Sequence, residues 1–198
     1  MRISTAALHQ QGVQNMQRQQ TLLARTQNEL ARGQKILSAA DDASGWSTGA
    51  ALDQALAQIS GYQSNLIRLQ NRLGLEENAL ASSSDVLQRA HELTIQLNNG
   101  SYSAGERSAL SQELQGALLS LVNLANSQDG EGRALFGGTS GVTAPFALNA
   151  GVVSYSGDAN TRLLNVSTSQ TLADGDDGAS VFMNVPGGGD VFSAIQNV

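Results

Sequence analysis

LDQALAQISGYQSNLIRLQNRLGLEENALASSSDVLQRAHELTIQL, running from Leu52 to Leu97, is the stretch that decides the fold. Leu52, Ile59, Leu66, Leu73, Leu80 and Leu87 recur every seven residues, and Thr94 continues the column. Three residues on, Ala55, Tyr62, Leu69, Glu76, Ser83, Ala90 and Leu97 form a second column, apolar at its ends and polar in its middle. An apolar period of seven marks a helix that packs lengthwise on another helix. At ~1.5 Å per residue, a helix of about 45–48 residues spans about 70 Å, well beyond the width of a small domain. It cannot bury its stripe in a globule of its own, and the stretch therefore predicts a rod.

Downstream, Asn98-Asn99-Gly100 supplies residues that tolerate left-handed backbone after a helix. Ser103 and Glu106 have capping-box spacing, in which each side chain satisfies a free N–H of the other's backbone. They open a third helix carrying Leu110, Leu114, Ala117, Leu118, Leu121 and Leu124. A short link favours an antiparallel hairpin. Counting back from Gly100 sets Leu80 and Leu87 opposite Leu121 and Leu114, with Leu110 near Leu93 and Thr94. The expected packing seam is thus Leu52, Ile59, Leu66, Leu73, Leu80 and Leu87 against Leu110, Leu114 and Leu121, with Ile59 and Leu66 needing other cover.

Upstream, residues 6–38 lack proline and are rich in Gln, Ala, Leu and Arg. Met16, Leu23, Leu30 and Leu37 form one thin apolar column, a weak seam that needs a partner and is the candidate assembly seam. So narrow a stripe does not offset the entropy of ordering the segment, and residues 1–40 are expected to order only on assembly. Gly33 and Ala39-Ala40-Asp41-Asp42-Ala43-Ser44-Gly45 interrupt the pattern where one helix ends and another begins. Trp46 sits at that corner, as a packing anchor in preference to a partner contact.

Beyond Asn126 the composition turns to Gly, Asp, Ser, Thr and Val. Val152–Tyr155 and Leu163–Ser167 read as short strands, with Gly157-Asp158-Ala159-Asn160 as the turn between them. Three parts are expected: an N-terminal helical segment over 1–45, a long helical hairpin over 46–135, and an incomplete β-rich outer module over 136–198. The fold class is mainly α with a small β part, a long antiparallel α-helical hairpin rod followed by a β-rich module.

Little here points to chemistry. Aromatics make up 4% of the chain, the net charge is −6, and Lys35 is the only lysine, so no cationic surface for nucleic acid is expected. Without cysteine there are no disulfides, thiolate sites or Cys nucleophiles. The first residues lack the apolar core of a Sec-type signal peptide, and no apolar run is long enough to span a membrane. His9 and His91 have no sequence neighbours suited to acid–base work. Asp174-Gly175-Asp176-Asp177-Gly178 starts like a calcium loop, but its twelfth position is Val185, and a solvated turn is the preferred reading. Gly130, Gly132, Gly137 and Gly138 around Arg133 follow a helix and lack Gly-Lys-Ser/Thr, which makes them a redirecting turn and not a phosphate loop. The sequons at Asn99 and Asn165 are assigned no role. No catalytic residue, metal or cofactor is expected.

Several stretches nevertheless resemble one family. Ser38-Ala39-Ala40-Asp41-Asp42-Ala43-Ser44-Gly45 resembles the Asp-Asp segment after the first helix of flagellins. The Leu-column helix, Asn98–Ser103 and Glu106-Arg107 are similar to the helical hairpin of the same group. Met1-Arg2-Ile3-Ser4-Thr5, Asn123–Thr139 and Ala144-Pro145-Phe146 resemble its hook-associated members, with Tyr155-Ser156-Gly157-Asp158 as a weaker echo. The Thr-x-Phe-Asn-Gly type of turn found in flagellins is missing. The resemblance implies a structural, non-enzymatic subunit, exported through the flagellar type III route and seated between hook and filament. Implied partners are copies of itself, neighbouring hook-associated protein and flagellin subunits, and an export chaperone. It also implies returning C-terminal helices, which the sequence to Val198 does not contain; a truncated chain or a short natural form is expected. Filament flagellin, and a non-flagellar coiled-coil scaffold, are the alternatives.

Overall fold

The computed structural model describes residues 5–185 and 189–196. It is mainly α: helix α1 (Thr5–Arg32), α2 (Ala43–Leu97) and α3 (Ala104–Ala125) precede strands β1 (Phe146–Asn149), β2 (Val152–Tyr155), β3 (Leu163–Asn165) and β4 (Thr171–Ala173), a π-helical turn over Ala179–Met183, and helix α4 (Val191–Gln196). The chain forms two compact units, Met1–Gln58 and Ile59–Val198. Met1 to Ser4, including four residues of the opening motif, lie outside the described residues.

In the first unit α1 ends earlier than its apolar column suggests. Gly33, at φ 64°, closes a Schellman motif, in which its N–H donates to Leu30 O and that of Gln34 to Glu29 O. Leu37 is therefore in the loop and not on the helix, which removes it from the column of Met16, Leu23 and Leu30. Asp41 and Asp42 then divide the work. The Asp41 carboxylate accepts from the N–H groups of Leu37 and Ser38 and pairs with Arg25 at 3.2 Å. Asp42 caps α2, accepting from Ser44 N at 3.0 Å and Gly45 N at 2.9 Å.

In the second unit the core gathers residues from α2, α3 and the C-terminal part. Leu93, Leu121, Ala125, Phe136 and Phe192 are fully enclosed. Arg89 pairs with Glu113 at 2.6 Å across the two helices, and Arg72 with Asp129 at 2.9 Å, which fixes an antiparallel register. The expected seam on α2 needs correction. Its buried face carries Leu69, Arg72, Glu76, Ala79, Ser83, Ala90 and Leu93, whereas Leu52, Ile59, Leu66 and Leu73 are exposed. Leu80 and Leu87 lie at the rim, packed on the core from outside, as Leu110 does; Leu114 and Leu121 are buried on α3. Apolarity alone chose the wrong column, because the seam that is buried keeps its polar members by bonding them.

Ser103 and Glu106 form a reciprocal capping box at the start of α3. At the other side of that link, Gly100 does not take a positive φ; α2 ends with Asn98 and Asn99 donating back to Thr94 O and Gln96 O. The strands also pair differently from expectation. β1 pairs with β2 and β3 with β4, both antiparallel, so Gly157–Asn160 joins two hairpins and is not the turn of one. Ala150 and Gly151, both at positive φ, make the first hairpin turn. Phe146–Asn149 lacks the β-branched residues that mark a strand, and the sequence gives no sign of its pairing.

Candidate functional site: a polar clasp and the exposed helix faces

Two positions one helical turn apart, Arg72 and Glu76, tie α2 to everything that follows Ala125. Arg72 is about nine-tenths buried. Its Nη1 reaches Asp129, and its Nη2 donates to the carbonyls of Ala134 at 3.1 Å and Leu135 at 2.9 Å. Glu76 accepts from the Asp176 N–H at 2.9 Å. Gly175 lies against both: a Cβ there would stand 2.8 Å from Glu76 Oε2 and 3.5 Å from Arg72 Nε. Asp174, almost fully enclosed, pairs with Arg162 at 2.5 Å and faces Arg72 at 3.8 Å. The segment Asp174–Gly178 is thus not a solvated turn. It is pressed onto the helix, with Gly178 against Phe136 O and the rings of Phe146 and Tyr155.

The environment sets the charges. Burial pushes the Glu76 carboxyl above its usual range, and the charges of Asp176 and Asp174 add to this, against the Asp176 N–H and Arg72. Asp129 goes the other way. Partial burial raises it, but the N–H groups of Arg133 and Glu131 and the Arg72 charge outweigh that and hold it low. Asp129 also closes the turn Gln128–Ala134, where Gly132 takes φ 77° and Leu135 N donates to Ser127 O.

A second lock joins Phe136-Gly137-Gly138-Thr139 to Tyr155-Ser156-Gly157-Asp158. The Asp158 carboxylate accepts from Thr139 N at 2.8 Å and Thr139 Oγ1 at 2.6 Å. Tyr155 Oη is 3.0 Å from Phe136 O and 2.9 Å from Asp158 O. Gly138, at φ 68°, has no room for a side chain, since a Cβ would lie 2.5 Å from Asp158 O. Phe136, Phe146, Phe182 and Phe192 cluster beneath, with ring centroids 5.1–5.9 Å apart between neighbours. The few aromatics of the chain are thus concentrated where the module docks.

The helix faces are the converse. Among the described residues, every side chain on α1 from Ala7 to Asn28 is exposed, including Leu8, Val13, Met16, Leu22 and Leu23; Leu30 is 83% exposed. In the same unit Leu52, Leu56 and Trp46 are open to solvent. Trp46 at 48% exposure is only half a packing anchor. In the second unit Ile59, Leu66, Ile67, Leu73 and Leu75 remain uncovered. The proposed seam therefore divides. Its distal members edge the core, and its proximal members stay uncovered in each unit.

Arg72, Glu76, Asp129, Asp158 and Asp174 were not singled out as site residues by sequence reasoning. The signal was present: the polar middle of the second α2 column, where Glu76 and Ser83 interrupt apolar positions. A polar residue on a seam implies a specific partner.

The chain is similar to several known proteins. Residues 3–141 match the family described as the bacterial flagellin N-terminal helical region. The flagellar hook-associated protein 3 of Salmonella typhimurium is 31% identical over 185 residues, 93% of this chain and 58% of that protein. The crystal structure of FlgL from Xanthomonas campestris superposes with a TM-score of 0.62 at 44% identity, covering 66% of this chain and 42% of that one. A B-type flagellin of Pseudomonas aeruginosa is 33% identical over 118 residues, 58% of this chain and 24% of that protein. The chain spans somewhat more than half the length of the hook-associated relative it matches.

Proposed function

The chain belongs to the bacterial flagellin family by its N-terminal helical region, and on that premise we propose that it is a structural, non-catalytic subunit of the flagellum at the junction between hook and filament. Two observations carry the reading: α1 buries no apolar residue among those described, and in the second unit Ile59, Leu66 and Leu73 are uncovered. A helix gains most of its stability from burying an apolar face. Here the natural occupants are helices of neighbouring subunits: copies of this chain, an adjoining hook-associated protein, and flagellin. The clasp serves the same end by fixing the C-terminal module to one side of α2, which leaves the other side for assembly.

Filament flagellin is the weaker reading. The likeness to the hook-associated relative extends over 93% of this chain and so into the C-terminal module, whereas the likeness to the flagellin covers 58%. The locks at Arg72 and Asp158 lie in or contact that module. Export through the flagellar type III route, with a chaperone shielding the apolar helices before assembly, completes the proposal. Deleting the gene should leave hooks without filaments and flagellin monomers in the medium, and antibody labelling of sheared flagella should mark the hook–filament boundary. Normal filaments on the deletion strain, or label along the whole filament, would overturn it.

A further inference from the structure

We infer that Asn99 is a built-in deamidation site, at which the link between α2 and α3 converts spontaneously to aspartate and isoaspartate. Asn99-Gly100 is the only Asn-Gly pair in the chain. It lies outside both helices, and both residues are exposed. The reaction needs the backbone nitrogen of the following residue to reach the side-chain amide carbon, and the fold leaves that approach open. The Ser101 N–H donates to Asn99 Oδ1 at 3.1 Å, closing an Asx turn that folds the side chain over its own C-terminal peptide. The same bond polarises the amide carbonyl under attack. Gly100 adds no Cβ to obstruct the approach, and no heavy atom from the rest of the chain stands within 4 Å of where one would be.

The chemistry balances without a further reactant beyond water. The Gly100 nitrogen loses its proton and bonds to Asn99 Cγ. The C–N bond of the side-chain amide breaks and ammonia leaves, which gives a five-membered succinimide. Water then opens the ring at either carbonyl. One opening gives Asp at 99; the other routes the main chain through the side-chain carboxyl carbon and leaves an isoaspartyl link one methylene longer. Either product adds a negative charge between the end of α2 and the capping box at Ser103. The isoaspartyl link also disturbs the bonds Asn99 N–H to Gln96 O and Tyr102 N–H to Asn99 O, which set the hairpin link.

Three other asparagines are placed differently. Asn126 is locked by a reciprocal pair of bonds, its Nδ2 donating to Phe146 O at 2.7 Å and its Oδ1 accepting from Phe146 N at 2.9 Å. The Asn98 and Asn78 side chains donate back into α2, to Thr94 O and Gly74 O. The exposed Asn-Gly pair is thus more susceptible than these three.

The experiment is peptide mapping by mass spectrometry of the purified chain, held at mildly alkaline pH, with isoaspartate read by retention time. The expected result is that the peptide containing Asn99 gains the mass of OH for NH2 before any other peptide does. Gly100→Ala, which the open space accommodates, should slow that gain severalfold while leaving the helical spectrum and melting unchanged. The same time course in urea separates turn from sequence. Folded and unfolded chains should deamidate Asn99 at comparable rates. An intact Asn99 while other asparagines convert, or a folded rate far below the unfolded one, would overturn the inference.

Discussion

Asp41 and Asp42 are adjacent and identical in charge, yet one closes a loop back onto α1 while the other caps α2. Position relative to the neighbouring N–H groups, not residue type, divides their roles. Glycine shows the same dependence. Gly138→Ala should cost about 2–4 kcal/mol, through both its positive φ and the collision with Asp158. At Ala150 the sign is reversed. This alanine holds φ 51° in the β1–β2 turn, a conformation that asparagine adopts more readily. Ala150→Asn should therefore stabilise by about 0.5–1 kcal/mol, and paired urea denaturation curves would test both substitutions. Glu76 supplies a pH test. Its carboxyl is raised in the folded state, so its contribution is present below the unfolded value and is lost as pH rises through the folded one. The depressed Asp158, held low by the Thr139 hydroxyl and N–H, contributes above its unfolded value, and that is lost as pH falls through the folded one. Wild type should thus gain stability relative to Glu76→Gln on acidification through the Glu76 titration. A constant difference between the two across that range would mean that the buried carboxyl does not titrate there.

At the level of elements, the sequence made the helices and their antiparallel pairing legible, because heptads and the Ser103–Glu106 box are local signals. It did not reveal which α2 column is buried. Leu73 and Leu80 look like seam residues, but Arg72, Glu76 and Ser83 occupy the seam, each stabilised by a partner chosen in three dimensions. A polar residue is admitted to a buried face by a bond that periodicity cannot register. The strand pairing was hidden for a related reason. Val152–Tyr155 was readable as a strand, but its partner Phe146–Asn149 is defined mainly by the Ala150-Gly151 turn and the lock of Phe146 to Asn126. The distinction between the two columns can be measured in the isolated chain. Leu121→Ala removes a fully enclosed side chain and should cost about 2–5 kcal/mol, whereas Ile59→Ala should change stability by only about 0.5 kcal/mol. A large loss for Ile59→Ala would mean that the proximal column has a cover within the chain.

For the whole molecule, stability should be unevenly distributed. The second unit contains the aromatic cluster, both polar locks and the α2–α3 core. The first unit has a Schellman motif, a cap and the Arg25–Asp41 pair, all local, and an α1 with no buried apolar side chain among those described. An exposed ion pair such as Arg25–Asp41 contributes little. Backbone ordering costs ~1–2 kcal/mol per residue, and while the apolar side chains of α1 stay unburied, only intrinsic helix propensity opposes it. α1 should therefore open locally while the second unit stays closed, as expected of a segment that acquires its partner only on assembly. Amide hydrogen exchange on the monomer in dilute solution would read this directly. Amides from Met16 to Leu30 should exchange near the rate of a fraying helix, and those around Leu93 and Leu121 only through global unfolding. Adding preassembled hooks or flagellin should bring protection to α1 without altering exchange in the core around Leu93 and Leu121. Strong protection of Met16–Leu30 in the free monomer would contradict the assembly role given to that face, since the helix would then already have its partner.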